Sequence, residues 1–289
     1  MENKFKRYKN MIDAALDSYF TDECAQKDLL DAMRYSLLAG GKRIRGVLVL
    51  CFAEMCGLEA ERALPFACAV EMLHTYSLIH DDLPCMDNDD FRRGKPTNHI
   101  VYGEAAATLA GDALQAAAFE TALSAELAQE RVMQAAKVLA AAAGPFGICG
   151  GQVLDMAAEG RFLDREEMEN IHNLKTSSMI IASAKMGVIA AGGSAEQIAA
   201  AEKYAKCIGL AFQVRDDMLD MISSDEELGK PIGSDAANDK STFVSLYGLK
   251  RCGEIVDEKT AQAVGAVKEG FSDSGFAVWL AEYLSKRKN

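Results

Sequence analysis

A chain of 289 residues, 49% of them hydrophobic, is long enough to bury a sizeable core, as one large helical domain or two smaller ones. Its formal net charge of −12 excludes the broad basic face that nucleic acid or an anionic membrane surface requires. Eight cysteines without CxxC spacing, a charged start (MENKFKRYKN) and no charge-free apolar run of about twenty residues lead us to expect a reduced, cytoplasmic protein without leader or membrane span.

Leu30, Met33, Leu37 and Leu38 are spaced for a helix over 27–39, stopped by Gly40-Gly41. Further helices are expected over 44–56 and 63–80, the latter apolar on nearly every side, as in the middle of a bundle. Ala-rich helices follow over 103–124 and 130–143, interrupted at Gly144-Pro145, then helices over 166–191 and 195–222. The polar stretch 223–241 reads as a loop, and one or more shorter helices complete the chain before its basic end, Ser285–Asn289. Alternating β-branched runs are scarce and no linker divides the chain. The fold class is therefore all-α, with a single domain expected over 1–289.

The chemistry concentrates in three segments. Asp81, Asp82, Asp87, Asp89 and Asp90 fall directly after the apolar helix and directly before Arg92-Arg93. Carboxylates crowded at a helix end repel one another unless a cation lies among them, and hard oxygen ligands of this kind suit Mg²⁺ bound jointly with substrate phosphate. The arginines offer the forked geometry that phosphates prefer. A second cluster sits in FQVRDDMLDM (212–221), inside a helical run. There Asp216 and Asp220 share a face, with Gln213 one turn earlier. Carboxylates on an apolar face are unfavourable unless paired or metal-bound. Two such helices could hold several Mg²⁺ ions around one diphosphate. In the third segment, Gly40-Gly41-Lys42-Arg43-Ile44-Arg45, glycines precede cations at a helix start, which suits an anion.

Other residues stay open at this level. Lys175-Thr176 opens an otherwise apolar helix, so its lysine either snorkels or faces a polar cavity. Gln152 and Asp155 are either structural hydrogen-bonders or cavity-lining groups. Lys230 and Lys240 read as surface lysines on composition alone. His74 lies two turns before Asp81 on the same face.

GGKRIR (40–45), DDLPCMD with DDFRRGKPTNH (81–99), GGQVLD (150–155), KT (175–176), FQVRDDMLD (212–220) and GK…D…KST (229–242) together resemble the bacterial short-chain trans-isoprenyl diphosphate synthases. The farnesyl branch is the nearest likeness, with the geranylgeranyl branch close to it. The resemblance implies an orthogonal helical bundle around a deep cavity, a homodimer, and isopentenyl and allylic diphosphates as substrates. It implies three Mg²⁺ ions, two at Asp81 and Asp87 and one at Asp216, with Asp82, Asp217 and Asp220 in support. Arg92, Lys175 and Lys230 would grip the allylic diphosphate, and Lys42, Arg45, His74 and Arg93 the isopentenyl diphosphate. Thr176 and Gln213 would stabilise the allylic cation. Gly46 departs from the family, which usually has proline there; a looser helix start with little functional effect is expected.

Tyr76, five residues before Asp81, lies about 7.5 Å down the helix at ~1.5 Å per residue, where a ring would block a growing chain; Ser77 is too small to do so. A fifteen-carbon product is therefore expected, with a twenty-carbon product as the alternative. A terpene cyclase would not need the cations at 42–45, and a noncatalytic partner subunit would not keep both aspartate clusters.

Overall fold

The computed structural model describes residues 1–228 and 242–287. These form thirteen α-helices and one short hairpin, so the all-α expectation holds. They divide into two compact units, Met1–Ala140 with Ser183–Gly193, and Ala141–Ala182 with Ser194–Asn289.

The first unit holds α1 (Glu2–Asp17), α2 (Lys27–Leu37), α3 (Ile44–Met55), α4 (Ala60–Asp81), α5 (Asn98–Tyr102) and α6 (Glu104–Leu123). Most of α7 (Gln129–Ala143) and of α10 (Ser178–Ala191) belongs to it as well. α3 and α4 are buried nearly all round, which explains why neither shows a polar stripe. α4 starts earlier than its apolar pattern suggests and carries Pro65 in its second turn. The carbonyl deprived of its partner there is that of Glu61, which lies at the surface, so the interruption is tolerated. α6 packs closely on α4 at Gly111, where a Cβ would lie 2.2 Å from His80 Nε2.

The start of α3 is organised by a buried acid. Glu71 on α4 accepts the Gly46 N–H at 2.9 Å and lies 3.6 Å from Arg43. Arg43 donates to Asp13 at 2.8 Å and to the Leu37 carbonyl at 2.7 Å. Gly46 is thus not a loosened start. It supplies the N–H that a proline lacks, and a Cβ there would meet Ile12 Cδ1 at 2.8 Å.

The second unit is built on α11 (Ala195–Leu228) and α12 (Phe243–Gly270), with α8 (Ile148–Ala157), α9 (Arg165–His172) and α13 (Gly275–Ser285). Leu163, Met168, Ile171, Val214, Met218, Phe243 and Val256 form its core. α11 runs to Leu228, six residues into the stretch expected to be loop: Ser223-Ser224-Asp225-Glu226-Glu227-Leu228 contains no glycine or proline to stop it. α12 is kinked at Gly248, whose φ of +73° departs from the helix. The stretch Gln129–Ala157 has a window of mean hydropathy 1.4, but its charge-free run, between Lys137 and Asp155, stays short of twenty residues. It is broken at Gly144-Pro145 into helices of 15 and 10 residues, each shorter than the roughly twenty a span needs.

Replacing Gly46 with proline removes a donor to a buried carboxylate and inserts a ring against Ile12. Thermal or urea unfolding of Gly46→Pro is expected to show about 3 kcal/mol lost, against about 1 kcal/mol for Gly46→Ala, which keeps the N–H.

Candidate active site

In the first unit α4 delivers its acids as it ends. Asp81 is its last residue and Asp82 its C-cap, so the two carboxylates leave the helix in different directions. Asp82 is buried and accepts Arg92 Nε at 2.7 and 2.8 Å and Nη2 at 2.6 Å. Burial holds its carboxyl above the ordinary value, against the opposing pull of Arg92. Asp81 is half-buried and Asp87 exposed. A turn returns the chain between them, with the Asp87 N–H donating to the Asp81 carbonyl at 2.9 Å. The longer gap between Asp82 and Asp87 therefore forms a loop that brings Asp87 back to the helix end.

Arg92 and Arg93 stand on a two-strand hairpin, β1 (Phe91–Arg92) and β2 (Lys95–Pro96). Its two turn residues, Arg93 and Gly94, both have positive φ, at 54° and 74°. An all-helix reading missed the hairpin, although Arg-Gly between two short extended pairs is a turn signal. The turn lays the Arg93 guanidinium on the glycine pair, where Nη1 donates to the Gly40 carbonyl. Gly41 has φ +136°, which strains any side chain, and a Cβ there would lie 3.0–3.2 Å from that guanidinium.

Of the cations in the Gly40–Arg45 segment, Arg43 faces the core and Lys42 the outside. The left-handed backbone of Arg43, φ 52°, makes that division. Arg45 is half-buried, and its Nε has no partner among the described residues. His74 on α4 belongs to the same cluster. Burial, then the charges of Arg45, Arg93, Arg92 and Arg43, hold its imidazole well below its ordinary value and keep it neutral. Like charges gathered around a neutral donor form a receptor for an anion.

The second unit assembles the other group. A π-turn over Asn173–Ser177, a local irregularity often found at working sites, carries Lys175 and Thr176. α8 lies directly on it: a Cβ on Gly151 would come within 2.3 Å of the Lys175 backbone nitrogen. Lys175 does not snorkel; its Nζ donates to Asp155 at 2.7 Å. Asp155 is thereby a lysine-orienting group. Gln152 is buried with neither side-chain end partnered among the described residues. Thr176 donates to Gln213 Oε1 at 3.3 Å, and Gln213 Nε2 to Asp217 at 3.1 Å. Asp217 also accepts the Phe243 N–H at 2.8 Å, at the start of α12. Burial pushes its carboxyl up to about 6, those two hydrogen bonds opposing and Asp220 and Asp216 adding to the rise.

Asp216 and Asp220 lie further out, Asp216 half-buried and Asp220 exposed. Gln213, expected to share their face, gives its N–H to Asp217 instead. Lys230 and Lys240 fall outside the described residues. His172, not singled out by any motif, stacks on Phe243 at 5.1 Å, and burial lowers its imidazole to about 4.

Among the described residues no three acid, histidine or cysteine side chains converge on one metal position. Mg²⁺ keeps several waters and leans on substrate phosphates, so one or two carboxylates suffice for it. The hard, partly exposed oxygens of Asp81, Asp87, Asp216 and Asp220 fit that requirement.

Residues 26–273 match the polyprenyl synthetase family. The chain belongs to that family. Its relatives include geranylgeranyl pyrophosphate synthase 3 of Arabidopsis thaliana, 50% identical over 90% of this chain and 74% of the relative. Farnesyl diphosphate synthase of Geobacillus stearothermophilus is 42% identical over 99% and 98%. Similar solved structures include a geranyltransferase from Legionella pneumophila, with TM-score 0.88 and 32% identity over 100% and 97% of the chains. An FPP/GFPP synthase from Zymomonas mobilis has TM-score 0.87 and 33% identity over 98% and 100%. The protein is a short-chain prenyltransferase of a Mg²⁺-dependent family that takes isopentenyl and allylic diphosphates.

Because His172 is neutral when folded but titrates near 6.5 when unfolded, the unfolded chain binds the extra proton first as pH falls. Stability from this residue is present above about 6.5 and is lost as pH drops toward about 4. Urea unfolding at pH 7 and pH 5 is expected to show about 2 kcal/mol less from this source at the lower pH. His172→Phe, which keeps the stack on Phe243, is expected to flatten that slope.

Proposed function

We propose that this prenyltransferase joins isopentenyl diphosphate head-to-tail to dimethylallyl and then geranyl diphosphate, and stops at farnesyl diphosphate. The observation that carries the fifteen-carbon limit is Tyr76: a ring buried in α4, edge-on to His80 at 5.2 Å, five residues before Asp81. Ser77 beside it donates to the His74 carbonyl at 2.9 Å and adds no bulk. The geranylgeranyl reading is favoured by the names of several relatives, and product length separates the two.

We assign Asp81, Asp87, Asp216 and Asp220 as the ligands of three Mg²⁺ ions, with Asp82 and Asp217 as the internally held acids that fix their backbone. When bound, the metal neutralises the charge that builds on the departing diphosphate. Arg92, Lys175 and Lys230 grip that diphosphate, Asp155 aiming the Lys175 ammonium. Lys42, Arg45, Arg93 and neutral His74 hold the isopentenyl diphosphate, preorganised as a cationic cluster before the anion arrives. Thr176 commits its hydroxyl proton to Gln213, which Asp217 fixes in turn. The hydroxyl lone pairs are thereby left to stabilise the positive charge that develops on the allylic carbon. The chemistry requires an apolar surrounding, since water would trap that cation. Proton loss, with the released diphosphate as base, completes the product.

One polyprenyl synthase domain over 1–289 and a homodimer belong to the same reading. The dimer is supported by large apolar side chains left about half exposed along the first unit, Ile100, Val101, Leu109, Leu123 and Met133. A cytoplasmic setting is supported by eight free cysteines.

Purified protein with Mg²⁺, isopentenyl diphosphate and labelled dimethylallyl diphosphate is expected to yield the fifteen-carbon diphosphate, and nothing after chelation of the metal. Tyr76→Ala is expected to move most product to twenty carbons or more; an unchanged ladder on chromatography would remove Tyr76 from its role. A hydrocarbon product would make the chain a cyclase, and no turnover with metal present would make it a partner subunit. Sedimentation is expected to show a dimer for the wild type and a shift to monomer for Leu109→Asp with Leu123→Asp; a monomeric wild type rejects the pairing.

A further inference from the structure

The half-buried Asp216 of the second unit already has a cation of its own. Asp216 Oδ1 makes a close ion pair with Arg287, beyond the end of α13. The arginine is not a loose surface partner, since its side chain is only 8% exposed. Its guanidinium covers the Phe212 ring at 3.6 Å from the centroid, and Nη2 donates to the Phe212 carbonyl at 3.0 Å. Its own carbonyl accepts Arg215 Nε and Nη2 at 3.1 and 3.0 Å. Phe212, Arg215 and Asp216 occupy adjacent positions on α11 one turn apart, so side chain and backbone of one residue latch onto a single patch. The latch is incompletely satisfied: Arg287 Nε is buried with no partner among the described residues. A docked arginine with an orphaned N–H is held less firmly than its other contacts suggest.

A guanidinium and a hydrated dication are alternative counter-ions for one carboxylate oxygen. We propose that Arg287 is the resident counter-ion of Asp216 in the metal-free enzyme and that Mg²⁺ displaces it. Arg287 then sets the metal requirement, and metal binding frees the segment after α13 from α11. This rests on Asp216 being a Mg²⁺ ligand. It adds a determinant that no aspartate motif contains, 75 positions from Phe212 in the chain.

The test titrates Mg²⁺ into the full chain with inorganic diphosphate by calorimetry and follows hydrogen exchange of residues 280–287. Wild type, Arg287→Gln, Arg287→Lys and Asp216→Asn are compared, each first shown to be folded by circular dichroism and thermal unfolding. Arg287→Gln is expected to bind Mg²⁺ about five- to ten-fold more tightly than wild type, with Arg287→Lys between them. Exchange at the tail is expected to quicken on adding Mg²⁺ to wild type and to be fast already in Arg287→Gln. If Asp216→Asn weakens Mg²⁺ binding while Arg287→Gln leaves it unchanged, or if the wild-type tail stays protected with metal bound, displacement is overturned and the metal role stands. If Asp216→Asn binds Mg²⁺ as wild type does, the metal role of Asp216 fails and the displacement with it.

Discussion

Neighbouring carboxylates on an apolar helix tolerate one another only when something positive, or a donor, lies between them. Both aspartate clusters obey that constraint in the same way. In each adjacent pair the second acid is consumed inside the protein, Asp82 by Arg92 and Asp217 by Gln213 and the Phe243 N–H. The internal bonds do structural work: Asp82 ties the end of α4 to the hairpin, and Asp217 sits at the start of α12, where the helix dipole favours an anion. Of the first acids, Asp81 is half-buried and Asp216 pairs with Arg287, while the more distant Asp87 and Asp220 are exposed. In each doubled aspartate the second acid is thus a structural anchor.

The cationic side of the chemistry depends on backbone detail. Arg43 sits in a left-handed conformation and turns inward onto Asp13, Glu71 and the Leu37 carbonyl. Its neighbours Lys42 and Arg45 are thereby turned another way. Two positive-φ residues at the hairpin then lay Arg93 over Gly40 and Gly41. Four successive residues of one motif therefore divide between core and outside, and the glycine pair makes room for a guanidinium from a different segment. Gly46 completes the arrangement by giving Glu71 a donor that the family's usual proline cannot supply.

Much of this was legible in the residues themselves. The helices follow from apolar spacing and from the scarcity of proline and β-branched runs. Both aspartate clusters follow from the physical awkwardness of acids beside apolar neighbours. Less was legible where local composition misleads. Over 223–228 polarity suggests a loop, yet the lack of a stop residue lets the helix continue. The hairpin at 91–96 was missed because two-residue strands have no periodicity to detect.

The sequence alone determined the helical class, the aspartate and basic segments, and membership of a prenyltransferase family, because these depend on residue type and on spacing within one or two helical turns. Only the tertiary structure decided which member of each acid pair is an anchor, that Asp155 orients Lys175, that Gly46 serves Glu71, and that Arg287 reaches Asp216. Each of those is a contact between residues far apart in the chain, made when helices pack. Local periodicity carries no information about which side chains will then share a hydrogen bond or a charge.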